Sequence, residues 1–246
     1  MSKPARVGLL RSTAVFSAMT FVSRVSGLVR DQVYAAVIGV NPAMDAFVVA
    51  FRIPNFMRRL SAEGSFSMAF VPVLAEYKAR GDHAAVKALV DRVAGTLLAA
   101  LLVLAGLAVL AAPWIMPLFA PGFGAGTEQG QLAAELLRIT FPYALFISMA
   151  SLAGGILNTY GRFAVPALTP VLMNLTMIAA ALVFSRFFEQ PVMALGWGVF
   201  VAGVLQLGVQ LPSLARMGLL PRPRWGAKDA GVRRIMKLMV PTLFGA

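Results

Sequence analysis

The sequence predicts an all-α, polytopic membrane protein. Of 246 residues, 59% are hydrophobic and 13% charged, and the mean hydropathy is +0.79. That leaves too little polar sequence to clothe a soluble domain. Residues 93–113, 139–161, 163–185 and 190–215 each contain no charged side chain. Each matches the roughly 20 apolar helical residues that cross a hydrocarbon core. The alternating segments of about 10 residues expected of a transmembrane barrel are not seen.

The first helix is expected over about 13–40. Lys3, Arg6 and Arg11 precede its apolar run as in a signal peptide, but the run continues to Arg24 without a small-residue cleavage pattern, so a retained helix is expected. Gly39-Val40-Asn41-Pro42 ends it, with Asn41 suited to cap the next helix and Pro42 to its first position. A second helix over about 43–77 is too long for one upright span, at ~1.5 Å per residue, and Pro54, Gly64 and Pro72 mark its expected kinks. A polar link precedes the third helix, about 93–112. A loop rich in Gly and Pro leads to the fourth, about 132–158. Its Phe123-Gly124-Ala125-Gly126 follows no strand and lacks a Gly-Lys-Ser/Thr ending, so it reads as a flexible loop rather than a phosphate cradle. The fifth and sixth helices are expected over about 163–185 and 191–214. Residues 1–215 thus form a six-helix lobe and 216–234 a basic connection. Residues 235–246 read as the truncated start of a seventh helix, too short to span.

The 22 Lys and Arg exceed the 10 Asp and Glu, for a net charge of +12. In a soluble protein this would suggest nucleic acid. Here the excess lies in alternate connections: residues 3–11, Lys78–Arg92, Arg162 and the stretch after Arg216. The opposite loops hold Glu128, Glu189 and Arg186. The positive-inside rule accounts for this asymmetry and places the N-terminus in the cytoplasm, with no nucleic-acid partner. The chain has no Cys and one His, His83, in a polar connection. Thiol chemistry is therefore excluded and His-based catalysis disfavoured; no cofactor or metal is expected, and no enzyme.

One stretch breaks the apolar pattern. Between Ser23 and Gly64 lie Arg24, Arg30, Asp31, Asp45, Arg52, Arg58, Arg59 and Glu63, five cations against three anions. A charge at the centre of a bilayer helix costs about 2.5–3.5 kcal/mol on insertion scales, so such residues face a cavity or each other. Internal pairing leaves two positive charges over, which points to a water-filled cavity for an anionic ligand. Asp45, Arg52 and Arg59 fall at i, i+7 and i+14, on one helix face. Arg24 and Arg30 lie about 120° apart on theirs, so both reach one cavity only if Gly27 distorts the helix or the cavity is wide.

These residues sit in longer patterns. Ser23-Arg24-Val25-Ser26-Gly27-Leu28-Val29-Arg30-Asp31, Met44-Asp45-Ala46-Phe47, Pro54-Asn55-Phe56-Met57-Arg58-Arg59-Leu60, Ala62-Glu63-Gly64 and Ala69-Phe70-Val71-Pro72, with Phe141-Pro142-Tyr143 and Leu157-Asn158-Thr159, closely resemble the MurJ/MviN lipid II flippases. The resemblance covers the whole chain and the N-terminal half of the family's length. It implies one lobe of the two-lobed fold of multidrug/oligosaccharidyl-lipid/polysaccharide transporters. It also implies movement of undecaprenyl-diphosphate-linked peptidoglycan precursor, lipid II, to the outer leaflet of the bacterial cytoplasmic membrane by alternating access. The family's essential charges fall on Arg24, Arg30, Asp45 and Arg58. Asp31, Arg52, Arg59 and Glu63 are secondary cavity or pairing residues. Membrane lipids and cell-wall synthesis proteins are the further partners expected. The rival reading is a cation-coupled multidrug or other lipid-linked polysaccharide exporter of the same superfamily.

Overall fold

The computed structural model describes residues 3–58, 65–124 and 126–244. In chain order the α-helices are α1 (Lys3–Val37), α2 (Pro42–Arg58), α3 (Ser65–Ala79), α4 (His83–Phe119), α5 (Glu128–Thr140), α6 (Tyr143–Thr159), α7 (Ala164–Ala179), α8 (Val192–Gly208), α9 (Leu211–Arg216) and α10 (Ala230–Phe244). Among the described residues, four helical segments are long and apolar enough to cross a membrane: His83–Phe119, Glu128–Thr159, Ala164–Phe187 and Val192–Arg216. Leu102, Val103, Leu107, Leu110, Trp114 and Leu118 of α4 are exposed. Such a broad apolar face is stable only against lipid or another protein surface.

Local chemistry sets most boundaries. Asn41 accepts a hydrogen bond from the Met44 amide (2.9 Å) and donates to the Ile38 carbonyl (2.8 Å), closing α1 and opening α2 at Pro42. Of the long second helix expected over 43–77, the described parts are α2 and α3, on either side of residues 59–64. Gln129 donates to the Pro42 carbonyl (3.1 Å) and Lys78 to the Thr159 carbonyl (2.7 Å), so the pair runs from one end of the bundle to the other. Gly64, an expected kink, lies outside the described residues, whereas Pro54 and Pro72 sit inside α2 and α3. The expected fourth helix is two, α5 and α6. Pro142 cannot donate a backbone hydrogen bond, and the turn falls at Phe141-Pro142. α7 ends in a wide π-turn at Ala180–Phe184.

α4 extends well beyond the expected 93–112. Asp82 caps its N-terminus, accepting from the amides of Ala84 and Ala85 (2.9 and 3.0 Å), and this draws the polar link into helix. Asp82→Ala should lower stability by about 1 kcal/mol. A drop of several degrees or no change in apparent Tm of the detergent-solubilised protein decides it, with no change contradicting the cap.

Two apolar cores hold the bundle. One joins α2, α5, α7 and α8 to the C-terminal half of α4; the other joins α3, the N-terminal half of α4, the end of α6 and α10. The expected loose connection after α9 is not loose. Residues 219–226 run extended along α4 as a strap. The Arg224 amide donates to the Asp91 carbonyl (3.0 Å), the Arg222 amide to Asp91 Oδ1 (2.7 Å) and the Gly226 amide to Thr96 Oγ1 (3.2 Å). Asp91 is buried and also takes the Lys87 ammonium, while Arg92 pairs with Asp229. α10 packs on α3, where Arg234 grips both Glu76 oxygens (2.6 and 2.8 Å). That ion pair is exposed, so it contributes little to stability.

Candidate functional site

The cavity forms where α1, α2, α6, α7 and α8 converge. Its volume is about 440 Å³, and its walls include Ser23, Arg30, Asn55, Arg58, Tyr143, Asn174 and Gln206. Two guanidiniums from different helices line it, and among the described residues no carboxylate does.

Helical periodicity selects the lining residues. Phe51, Asn55 and Arg58 fall at i, i+4 and i+7 and turn one face of α2 inward. Pro54 lies buried between them. Arg58 Nε donates to Asn55 Oδ1 at 3.0 Å, which fixes the plane of the guanidinium. On α1, Ser23, Ser26 and Arg30 (i, i+3, i+7) face α7. There Asn174 donates to the Ser23 carbonyl (2.9 Å) and to Ser26 Oγ (3.0 Å). Asn174 Oδ1 in turn accepts from Arg30 Nη1 at 3.0 Å. Asp31 Oδ1 accepts from Arg30 Nε (3.0 Å) and Nη2 (2.8 Å). The Tyr34 ring lies 5.7 Å from the guanidinium carbon. A guanidinium carries five N–H donors. Asp31 and Asn174 take three of Arg30's, so the group is held rigidly with two donors left for a ligand.

The other site residues expected from sequence are not gathered here. α1 runs unbroken through Gly27, so no distortion swings Arg24 round, and Arg24 is exposed about 120° away from Arg30. Asp45 and Arg52 share one exposed face of α2, as their spacing predicts, but that face is not the cavity face. Asp45 lies in the first turn of α2, where a carboxylate favours the helix dipole. It is about 20 Å along the axis from Arg58, so it cannot pair with that guanidinium. Arg59 and Glu63 lie outside the described residues.

The sequence reading missed Asn174 and Gln206 as site residues, and took Asn55 and Tyr143 only as parts of motifs. The available signal was a lone amide in an otherwise apolar span, as in Leu172-Met173-Asn174-Leu175 and Val204-Leu205-Gln206-Leu207. A second polar pocket of about 230 Å³ shares Ile147 and Thr169 with the cavity and continues past Ser67 and Ser151 to Asn158. His83 lies on the surface at the strap end, its Nε2 3.2 Å from the Met217 carbonyl, far in the chain from the cavity helices.

Fold and site together define a polytopic helical membrane protein with a polar, arginine-lined cavity inside its bundle. A family model described as "Lipid II flippase MurJ" matches residues 34–246, and the chain belongs to that family. It is 47% identical over 244 residues to "Probable lipid II flippase MurJ" of Vibrio cholerae, covering 96% of this chain and 46% of that protein. It is 45% identical over 242 residues to "Lipid II flippase MurJ" of Burkholderia cenocepacia, covering 97% and 47%. A solved structure, "Lipid II flippase MurJ, inward closed conformation", superposes with a TM-score of 0.76 at 29% identity, over 94% of this chain and 47% of that one. The chain spans about half the length of the curated relatives it matches.

Proposed function

We propose that this chain contributes one six-helix lobe, residues 1–215, to a flippase that moves lipid II from the inner to the outer leaflet of the bacterial cytoplasmic membrane. The observation that carries this is the convergence of Arg30 and Arg58 on one cavity whose lining, among the described residues, holds no carboxylate. The names of the matched relatives support it. Lipid II carries a diphosphate that cannot cross hydrocarbon unaided. Planar guanidiniums bind phosphate oxygens through paired, charge-assisted hydrogen bonds.

Arg30 and Arg58 hold the diphosphate, and Asp31 and Asn55 orient them. Arg24, Asp45 and Arg52 act outside the cavity, along the path by which the head group enters or leaves, and Arg59 and Glu63 are secondary charges of the same path. Alternating access between two lobes follows by analogy with the fold. A cation-coupled drug exporter would instead need carboxylates in the cavity wall.

The test is reconstitution of the complete gene product in lipid vesicles loaded with lipid II, reading its arrival in the opposite leaflet. No protein-dependent arrival would overturn the proposal. Orientation is tested separately, because the chain has no cysteine to remove. The structure gathers Lys78, Lys87, Arg92, Arg222 and Arg224 at one end, opposite Pro42 and Gln129. By the positive-inside rule that end is cytoplasmic. Glu128→Cys should therefore label with an impermeant maleimide in intact cells, and Arg222→Cys only after lysis; the reverse pattern would invert the topology.

A further inference from the structure

Two buried polar atoms in the cavity wall have no hydrogen-bond partner among the described residues: the Tyr143 hydroxyl and Gln206 Oε1. Tyr143 is 0% exposed and Gln206 2%, and both line the cavity that holds Arg30 and Arg58. Leaving such groups unsatisfied is costly, and native proteins do so where a ligand or water completes them.

The placement is built rather than incidental. Gln206 Nε2 donates to the Thr169 carbonyl at 2.7 Å, which fixes the amide and commits its oxygen as a free acceptor. Gly203, three residues earlier on the same face of α8, leaves room for the Tyr143 ring: a Cβ there would come within 2.9 Å of it. The ring is held on its other side by Phe51, with centroids 6.0 Å apart. α6 and α8 therefore present a neutral oxygen pair in the same cavity as the guanidiniums of α1 and α2. The guanidiniums can only donate, and Gln206 Oε1 can only accept.

We infer that Tyr143 and Gln206 form a neutral subsite for hydrogen-bond donors, hydroxyl or amide N–H groups, of a glycan attached to the diphosphate. The inference rests on the reading of Arg30 and Arg58 as the diphosphate site and deepens it. The cavity then recognises a glycosylated prenyl diphosphate over the bare prenyl diphosphate, because only the former brings donors to this wall. Rejection of a ligand that leaves a built polar site unpaired is the strong form of such selectivity.

The experiment measures binding of two probes, lipid II and undecaprenyl diphosphate, to the complete gene product in nanodiscs. Tyr143→Phe removes only the hydroxyl, and Gln206→Met removes the acceptor while keeping the chain length. Each should weaken lipid II binding by about three- to tenfold, the range for one neutral hydrogen bond, and leave undecaprenyl diphosphate binding unchanged. Arg58→Ala should weaken both. Gln206→Glu, which keeps an acceptor oxygen, serves as a second variant should the Met variant prove unstable, and should retain the preference for lipid II. Equal effects on both probes, or no effect on either, at Tyr143 and Gln206 would overturn the subsite while loss at Arg58 leaves the diphosphate reading standing. If Arg58→Ala changes neither probe's affinity, the diphosphate reading falls and the subsite with it.

Discussion

Alanine at Arg30 or at Arg58 of the complete gene product should abolish arrival of lipid II in the outer leaflet, and lysine at either position should leave it clearly impaired. Lysine keeps the charge but loses the planar fork, and a charge-assisted hydrogen bond is worth about 1.5–3 kcal/mol. If that interaction is strongest in the transition state for crossing, its loss slows transport about tenfold or more. The two positions should differ in degree. Arg30 is braced on three sides by Asp31, Asn174 and the Tyr34 ring, so its donors point in fixed directions, and lysine cannot reproduce that frame. Asp31→Asn should be milder than either arginine variant, because Asp31 is exposed and only positions its neighbour. Each variant is checked for membrane insertion. Normal transport with alanine at both positions would remove them from the substrate site.

Gly95→Ala should destabilise the protein by roughly 3 kcal/mol or more, on the scale of severe core substitutions. In an exposed helix interior the same change stabilises by about 0.5–1 kcal/mol, so the sign itself is the test. Gly95 is buried in α4 beneath the strap. A Cβ there would lie 2.2–2.4 Å from the carbonyl oxygen, carbonyl carbon and nitrogen of Arg224. Those are backbone atoms, and relief requires moving the strap. The Arg222, Arg224 and Gly226 amides would then leave Asp91 and Thr96, and a buried carboxylate would lose part of its support. The measurement is apparent Tm in detergent, together with trypsin cleavage after Arg224, which should accelerate in the variant. An unchanged or raised Tm with unchanged cleavage would show that the strap does not dock on α4.

Several features of the fold are legible in the residues because their causes are local. Asn41-Pro42 caps and opens a helix through contacts within four residues. The charge-free stretches at 93–113, 139–161, 163–185 and 190–215 answer to bilayer thickness alone. Asp82 was as readable as Asn41, yet the polar composition of 78–92 masked the start of α4, since an exposed polar helix and a polar loop share composition.

The sequence by itself determined that this chain is a helical membrane protein of the MurJ family, that its basic residues concentrate in particular connections, and that the charges between Ser23 and Gly64 interrupt apolar sequence. Those conclusions follow from hydropathy, charge and ordered motifs, which are properties of neighbours in the chain. Only the tertiary structure decided which charges share a cavity. Arg30 and Arg58 border one cavity because α1, packed on α7, and α2, packed on α5 and α6, face the same space, and Arg24 and Asp45 stand apart because an unbroken helix turns each residue about 100° from the last. Asn174 and Gln206 joined the site for the same reason, as members of helices brought alongside. Asp91 was bound to the strap across more than 130 positions of chain, a pairing set by packing and invisible to any local pattern.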